Sequence, residues 1–270
     1  MKNSVNINKN TENTLLTQIK KSDLNTENLC KQAYSELILD TKHRPKSQIV
    51  AAIFSFLCAD WSKAHQHIQN FKACDPNLLL DLSLKDQVFC SAYYMFLNAL
   101  LETPFDDFLD FQNQNKIYHF GESHCLSYAH RSMTINGSTF RLIPKITFGA
   151  KAFHFAKTKN DAFKAITRTN LASIPKGSAV FISFGEIDCR PDEGLISASK
   201  KLNEPIESLI ASTVTGYLAW FNEQNKYYKH RMYFLNVPAP KYDKKYNAKL
   251  NADVANVVAL FNAQIKKQTT

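Results

Sequence analysis

The sequence has no apolar run long enough to cross a membrane. Its longest, Ile49 to Ala59, contains Ser55, whereas a spanning helix takes about 20 apolar residues. Cysteine spacing is equally uninformative for metals: none of the 6 cysteines forms a Cys-x-x-Cys pair, which excludes a zinc ribbon or a thioredoxin-type site. There is no His-Glu-x-x-His, no P-loop and no Gly-x-Gly-x-x-Gly. Zinc-protease and nucleotide chemistry therefore have no motif behind them, and neither a metal nor an organic cofactor is expected. The opening stretch, MKNSVNINKNTENTLL, lacks the apolar segment of a secretory signal. A cytoplasmic chain with buried, reduced thiols is the resulting expectation.

What is present is enough for a core. Hydrophobic residues make up 44% of the 270 and charged residues 21%, so wholesale disorder and a fibrous rod are excluded. The net charge is +9. It is spread over Lys151–Lys164, Lys226–Arg231 and Lys241–Lys249 and is not interleaved with an RNA-binding motif. The charge reads as a solvated basic surface, so a nucleic-acid groove is not expected. The same charge would suit an anionic small substrate or glycan.

Three regions follow from composition and periodicity. Residues 1–25 are rich in Asn, Lys and Thr and read as a tail. Residues 26–112 read as helices: Leu29, Ala33, Leu37 and Ile38 recur at helical spacing, and Asp60 caps a stripe of Ala64, Ile68 and Phe71. Lys85–Glu102 is expected to pack through Val88, Phe89, Ala92, Met95, Phe96 and Ala99. His65 and His67 are expected at the surface. Residues 113–270 alternate β-rich runs with helical patterns. The runs are Lys116–Phe120, Arg141–Phe148, Ser178–Phe184 and Arg231–Val237, with long helices at Glu204–Tyr228 and Leu250–Lys267. That alternation predicts an α/β fold with a parallel sheet. Phe148, Phe153, Phe155 and Phe163 are expected in its core, and Asn136-Gly137-Ser138 at a turn.

In such sheets function lies at the carboxyl ends of the strands. Gly121-Glu122-Ser123-His124 follows the first run, Gly149 the second and Gly185-Glu186-Ile187-Asp188-Cys189-Arg190 the third. Ser123 stands where a nucleophile could use backbone N–H groups as an oxyanion hole. The Gly-x-Ser-x-Gly elbow is absent, because Cys125 holds the place of its second glycine.

These blocks, in this order, resemble the SGNH or GDSL-type hydrolases over roughly residues 116–264. The resemblance implies a flavodoxin-like doubly wound sheet, here apparently without its last strand and histidine block, and an esterase or acyltransferase acting on an acyl ester, with an O-acylated carbohydrate as one substrate class. It implies Ser123 as nucleophile, Gly149 as oxyanion donor and Asp188 near the place of the family's second donor. Gly121, Glu122, His124, Gly185, Glu186 and Arg190 would line the substrate site. An ionised Asp188 accepts rather than donates, so a pair with Arg190, leaving that arginine to hold an anionic group, is the expectation. The family's closing Asp-x-x-His is missing; His230 is the last histidine. The chain thus reads either as ending before that block or as a noncatalytic, ligand-binding relative. His119 and His124 are the substitute bases, although His124 adjoins Ser123 and adjacent side chains meet poorly on a turn.

A second resemblance covers Pro45–Leu78, which is similar to one tetratricopeptide repeat, with small Ala52 and Ala64 and a late Pro76. It implies a surface for a protein partner. A lone repeat cannot bury both of its faces.

Overall fold

The computed structural model describes residues 45–103 and 115–269, in two units divided between Phe111 and Gln112. The expected tail and the helix around Leu29–Ile38 lie outside the described residues, as does Cys30.

The first unit is helical. Helices α1 (Pro45–Leu57) and α2 (Trp61–Lys72) form a hairpin, followed by α3 (Pro76–Leu80) and α4 (Leu84–Glu102). Asp60 caps α2 by accepting from the Lys63 N–H at 3.1 Å. Ala52 and Ala64 are fully buried, which lets the two backbones approach closely. His67 is buried, contrary to the surface expectation. Its Nδ1 lies 2.9 Å from the Gln48 Oε1 of α1, and this satisfies it in the hairpin interface. The packed face of α4 is shifted from the expected one. Cys90 and Leu97 are its buried residues and Phe89 and Phe96 are half-buried, whereas Val88, Ala92, Met95 and Ala99 are exposed. The helix is apolar on both sides, so periodicity alone could not say which side meets α1 and α2.

The second unit is α/β. Its sheet contains β1 (Asn115–Gly121), β2 (Ser132–Ile135), β3 (Ser138–Ile146), β4 (Ala179–Ser183) and β5 (Arg231–Phe234), in the order β2-β3-β1-β4-β5. β1, β3, β4 and β5 are parallel, while β2 runs antiparallel to β3. The β2–β3 hairpin has a two-residue turn, Asn136 (φ 49°) and Gly137 (φ 76°). Positive φ at both positions matches the twist of an antiparallel pair, which is why Asn-Gly is favoured there. β2 escaped the sequence reading because it is four residues long and half-polar.

The helices of this unit are α5 (Ala152–Ala156), α6 (Ala162–Ala172), α7 (Glu186–Cys189), α8 (Leu195–Leu202), α9 (Ile206–Tyr228) and α10 (Ala248–Thr269). All contribute to one core with Phe120, Val180 and Ile182, the residues that point to one sheet face. Phe155, Tyr217 and Phe221 are buried at its centre, and Phe155 packs on Phe184 with centroids 4.7 Å apart. Burying a large side chain of this kind contributes about 2–3 kcal/mol. Phe163 packs on the edge of this core, but Phe148 and Phe153 are exposed, so half of the expected aromatic core is surface. The opposite sheet face carries Ile117, Leu142 and Ala179. A short 3-10 helix, Ser123–Tyr128, lies on that side, where the Tyr128 ring meets the His119 ring at 5.8 Å.

Among the described residues Cys90, Cys125 and Cys189 are buried and Cys74 is half-buried, but Cys58 is exposed, against expectation. Burial pushes the thiols of Cys125 and Cys189 well up, which makes them inert rather than nucleophilic. Among the described residues no helix is long and apolar enough to cross a membrane.

Candidate functional site

The parallel strands place the chain's first strand between its second and third, β3-β1-β4. Connections therefore diverge at the carboxyl end of β1, where a crevice forms in sheets of this kind. Two loops meet there. Gly121 ends β1 opposite Ser183 of β4. A Cβ on Gly121 would lie 2.5 Å from the Ser183 Oγ and 3.1 Å from the Cys125 Cβ, so the residue must be glycine for the strand ends to close. Ser183 is fixed in turn by His119, whose Nε2 lies 2.8 Å from its Oγ. Burial holds the His119 imidazole down at about 4, so it is neutral. His119 thus serves Ser183 rather than Ser123.

Glu122 turns the chain out of β1. Its carboxylate is buried and accepts from the His124 N–H at 3.3 Å, which caps the 3-10 helix. Ser123 opens that helix and is half-buried. Its hydroxyl has no hydrogen-bond partner among the described residues. The backbone N–H groups of Ser123 and Gly149 donate to no turn or loop carbonyl among them. Gly149 is exposed, with φ 66°, in the turn after β3.

Gly185 turns the chain out of β4 with φ 132°. A side chain there would strike the Phe261 ring at 2.7 Å and the Val237 Cγ2 at 2.9 Å. The short helix α7 then sends its two acids to different tasks. Asp188 is buried and caps α5: its Oδ2 accepts from the Ala152 N–H at 2.7 Å and its Oδ1 from the Phe153 N–H at 3.0 Å. Burial raises its carboxyl to about 6, against the pull of those two N–H groups. Asp188 does not pair with Arg190. The Arg190 Nε sits 3.1 and 3.0 Å from the two Glu186 oxygens, its Nη2 is 2.8 Å from Glu186, and its Nη1 is 2.8 Å from Glu193. The guanidinium is thus committed to carboxylates, not left to an anionic group of a substrate.

His124 stands between the loops. Its Nδ1 lies 3.8 Å from the Glu122 Oε1 and 3.7 Å from the Glu186 Oε2. These carboxylates, Glu122 foremost, raise the imidazole above its ordinary value, against burial and Arg190. The three ligand atoms all lie within 4.8 Å of one another, a spacing that could hold a metal ion. Arg190 already brings a fixed cation to Glu186, so a second would meet repulsion there.

A cleft of about 730 Å³ opens beside this group. His124, Glu186 and Arg190 form one part of its wall, and the loop after β5 forms another, with Pro238, Tyr242 and Tyr246. Gly121, Glu122, His124, Glu186 and Arg190 are therefore brought together at the ends of β1 and β4. Ser123 and Gly149 do not line the cleft. The tyrosines of the β5 loop stand outside the sequence-predicted site, because the family resemblance puts a histidine, not a tyrosine, late in the chain. The readable signal was the Tyr-rich run Lys241–Tyr246 after a parallel strand. His230 lies at the amino end of β5, buried, with its ring parallel to Tyr228 at 5.4 Å, at the opposite end of the sheet from Ser123.

No protein-family model, curated protein or solved structure matches the chain.

Proposed function

We propose that the α/β unit is a serine acyl esterase or acyltransferase of SGNH type, with Ser123 as nucleophile. One observation carries the reading: Ser123 begins the first turn after β1, at the point where the connections of the parallel strands diverge, next to a cleft rimmed by charged residues. The parallel order β3-β1-β4-β5 agrees with a flavodoxin-like sheet. Ser123 would attack the acyl carbon, and its own N–H with that of Gly149 would hold the oxyanion. Asp188 acts at one remove, by holding the start of α5, just after Gly149. The cleft suits a polyhydroxyl acceptor such as a sugar: Arg190 is already paired with Glu186, Lys241 stands in the wall, and Tyr242 and Tyr246 offer rings for stacking.

The test is covalent. A fluorophosphonate should add once, at Ser123, and Ser123→Ala should abolish both the adduct and hydrolysis of p-nitrophenyl acetate. A second reading is favoured by the lack of a hydrogen bond from the Ser123 hydroxyl to any described base: a noncatalytic ligand-binding unit, in a chain whose helical unit resembles a tetratricopeptide repeat and would dock a partner. That reading expects no adduct, and ligand affinity that survives Ser123→Ala.

A further inference from the structure

Among the described residues His124 is the one imidazole that lines the cleft. Its two ring nitrogens have different surroundings. Nδ1 is fully buried, makes no hydrogen bond and faces the carboxylates of Glu122 and Glu186 at 3.8 and 3.7 Å. The side chain as a whole is 42% exposed and lines the cleft. The exposed part is therefore the opposite edge, which carries Nε2. An imidazole with one nitrogen against a carboxylate and the other open to substrate is the arrangement of a general base and its orienting acid.

We propose that His124, oriented by Glu122, is the proton acceptor for the hydroxyl that enters the cleft and takes the acyl group. This rests on the reading of Ser123 as the acylated residue. In the step, the Nε2 of neutral His124 takes the proton of a water or sugar hydroxyl. The hydroxyl oxygen bonds to the acyl carbon, the bond between that carbon and the Ser123 Oγ breaks, the departing Oγ takes a proton from solvent, and Nε2 releases its own proton to solvent. Serine and neutral imidazole are both restored. Glu122 is a positioning residue: its side chain is 2% exposed and its loop N–H contact fixes it beside the ring. The charged and titratable groups facing His124 are Glu122, Glu186 and Arg190, and the cleft wall it shares adds Cys189 and, from the β5 loop, Lys241, Tyr242, Asp243 and Tyr246.

The experiment separates acylation from turnover in wild type, His124→Gln and Glu122→Gln. Fluorophosphonate labelling of Ser123 reports the nucleophile; steady-state hydrolysis of p-nitrophenyl acetate and intact mass report the fate of the acyl group. His124→Gln should still label, turn over about 100-fold more slowly, accumulate acetylated Ser123, and lose the fall in kcat on acidification. Glu122→Gln keeps the ring and should move that acid limb to lower pH, because its carboxylate is what raises the imidazole. His124→Gln turning over at the wild-type rate with the wild-type pH limb overturns the proposal while leaving the nucleophile in place. An unmoved limb in Glu122→Gln overturns it too, even where His124→Gln fails to fold. A wild-type chain that never labels overturns both the nucleophile and the base.

Discussion

Asp188 holds the first two N–H groups of the helix Ala152–Ala156, at 2.7 Å from Ala152 and 3.0 Å from Phe153, across 36 and 35 residues of sequence. This contact ties the loop after β3 to the loop after β4. An amide has one acceptor oxygen where the carboxylate has two, and its NH2 would face a backbone N–H. Asp188→Asn should therefore cost about 1–3 kcal/mol, read as a lower urea midpoint at pH 7.

Asp188 and His119 should tilt the pH dependence of stability in opposite directions. The folded His119 sits near 4 against an ordinary 6.5. Between those values the unfolded chain binds the proton and the folded chain does not, so stability falls on acidification. Asp188 sits near 6 against 3.8. Over that window the folded chain binds the proton first, so acidification adds stability. Each effect amounts to about 3 kcal/mol at most. Urea melts at several pH values between 7 and 4 should show Asp188→Asn losing stability more steeply than wild type, and His119→Asn less steeply. Parallel curves for all three would contradict the burial of both groups.

Gly121 and Ser183 should show coupled substitution energies. Gly121→Ala drives a methyl group to 2.5 Å from the Ser183 Oγ, and overpacking of this kind costs about 1–3 kcal/mol. Ser183→Ala removes that oxygen, so the double variant should recover part of the loss. A double-mutant cycle in urea measures it. The recovery should be incomplete, because the Ser183 carbonyl remains 3.1 Å away.

The two faces of Leu84–Glu102 should differ sharply. Leu97→Ala empties a fully buried site and should cost about 2–5 kcal/mol. Met95→Lys, at 64% exposure, should change stability by about 0.5 kcal/mol or less. Equal losses would restore the face expected from sequence.

Strand positions were legible from short β-branched and aromatic runs, each followed by glycine or proline, and each of the four runs contains strand residues, although the last is strand only over Arg231–Phe234. The Asn136-Gly137 turn was legible too, because its chemistry is local. The strand before it was not: Ser132–Ile135 is defined by its partner rather than by its own residues. The packing faces failed for a related reason. Leu84–Glu102 is apolar on both sides, and His67 is buried by Gln48, 19 residues away. At the strand ends Gly121 and Gly185 were readable as positions of close backbone approach, since φ freedom and the lack of a Cβ are properties of that residue. The destinations of charged groups were not readable. Asp188 and Arg190 are two apart in sequence, yet one reaches the α5 terminus and the other Glu186 and Glu193. Spacing shows which groups are available and not which partner wins.

The most direct measurement is the intact mass of the wild-type chain after fluorophosphonate treatment, followed by peptide mapping, with Ser123→Ala in parallel. A single adduct on the peptide containing Ser123, absent from the variant, is the result expected of a serine acyl-transfer site at the end of β1. No adduct on a chain with native near-ultraviolet dichroism, or an adduct that persists in Ser123→Ala, would contradict it.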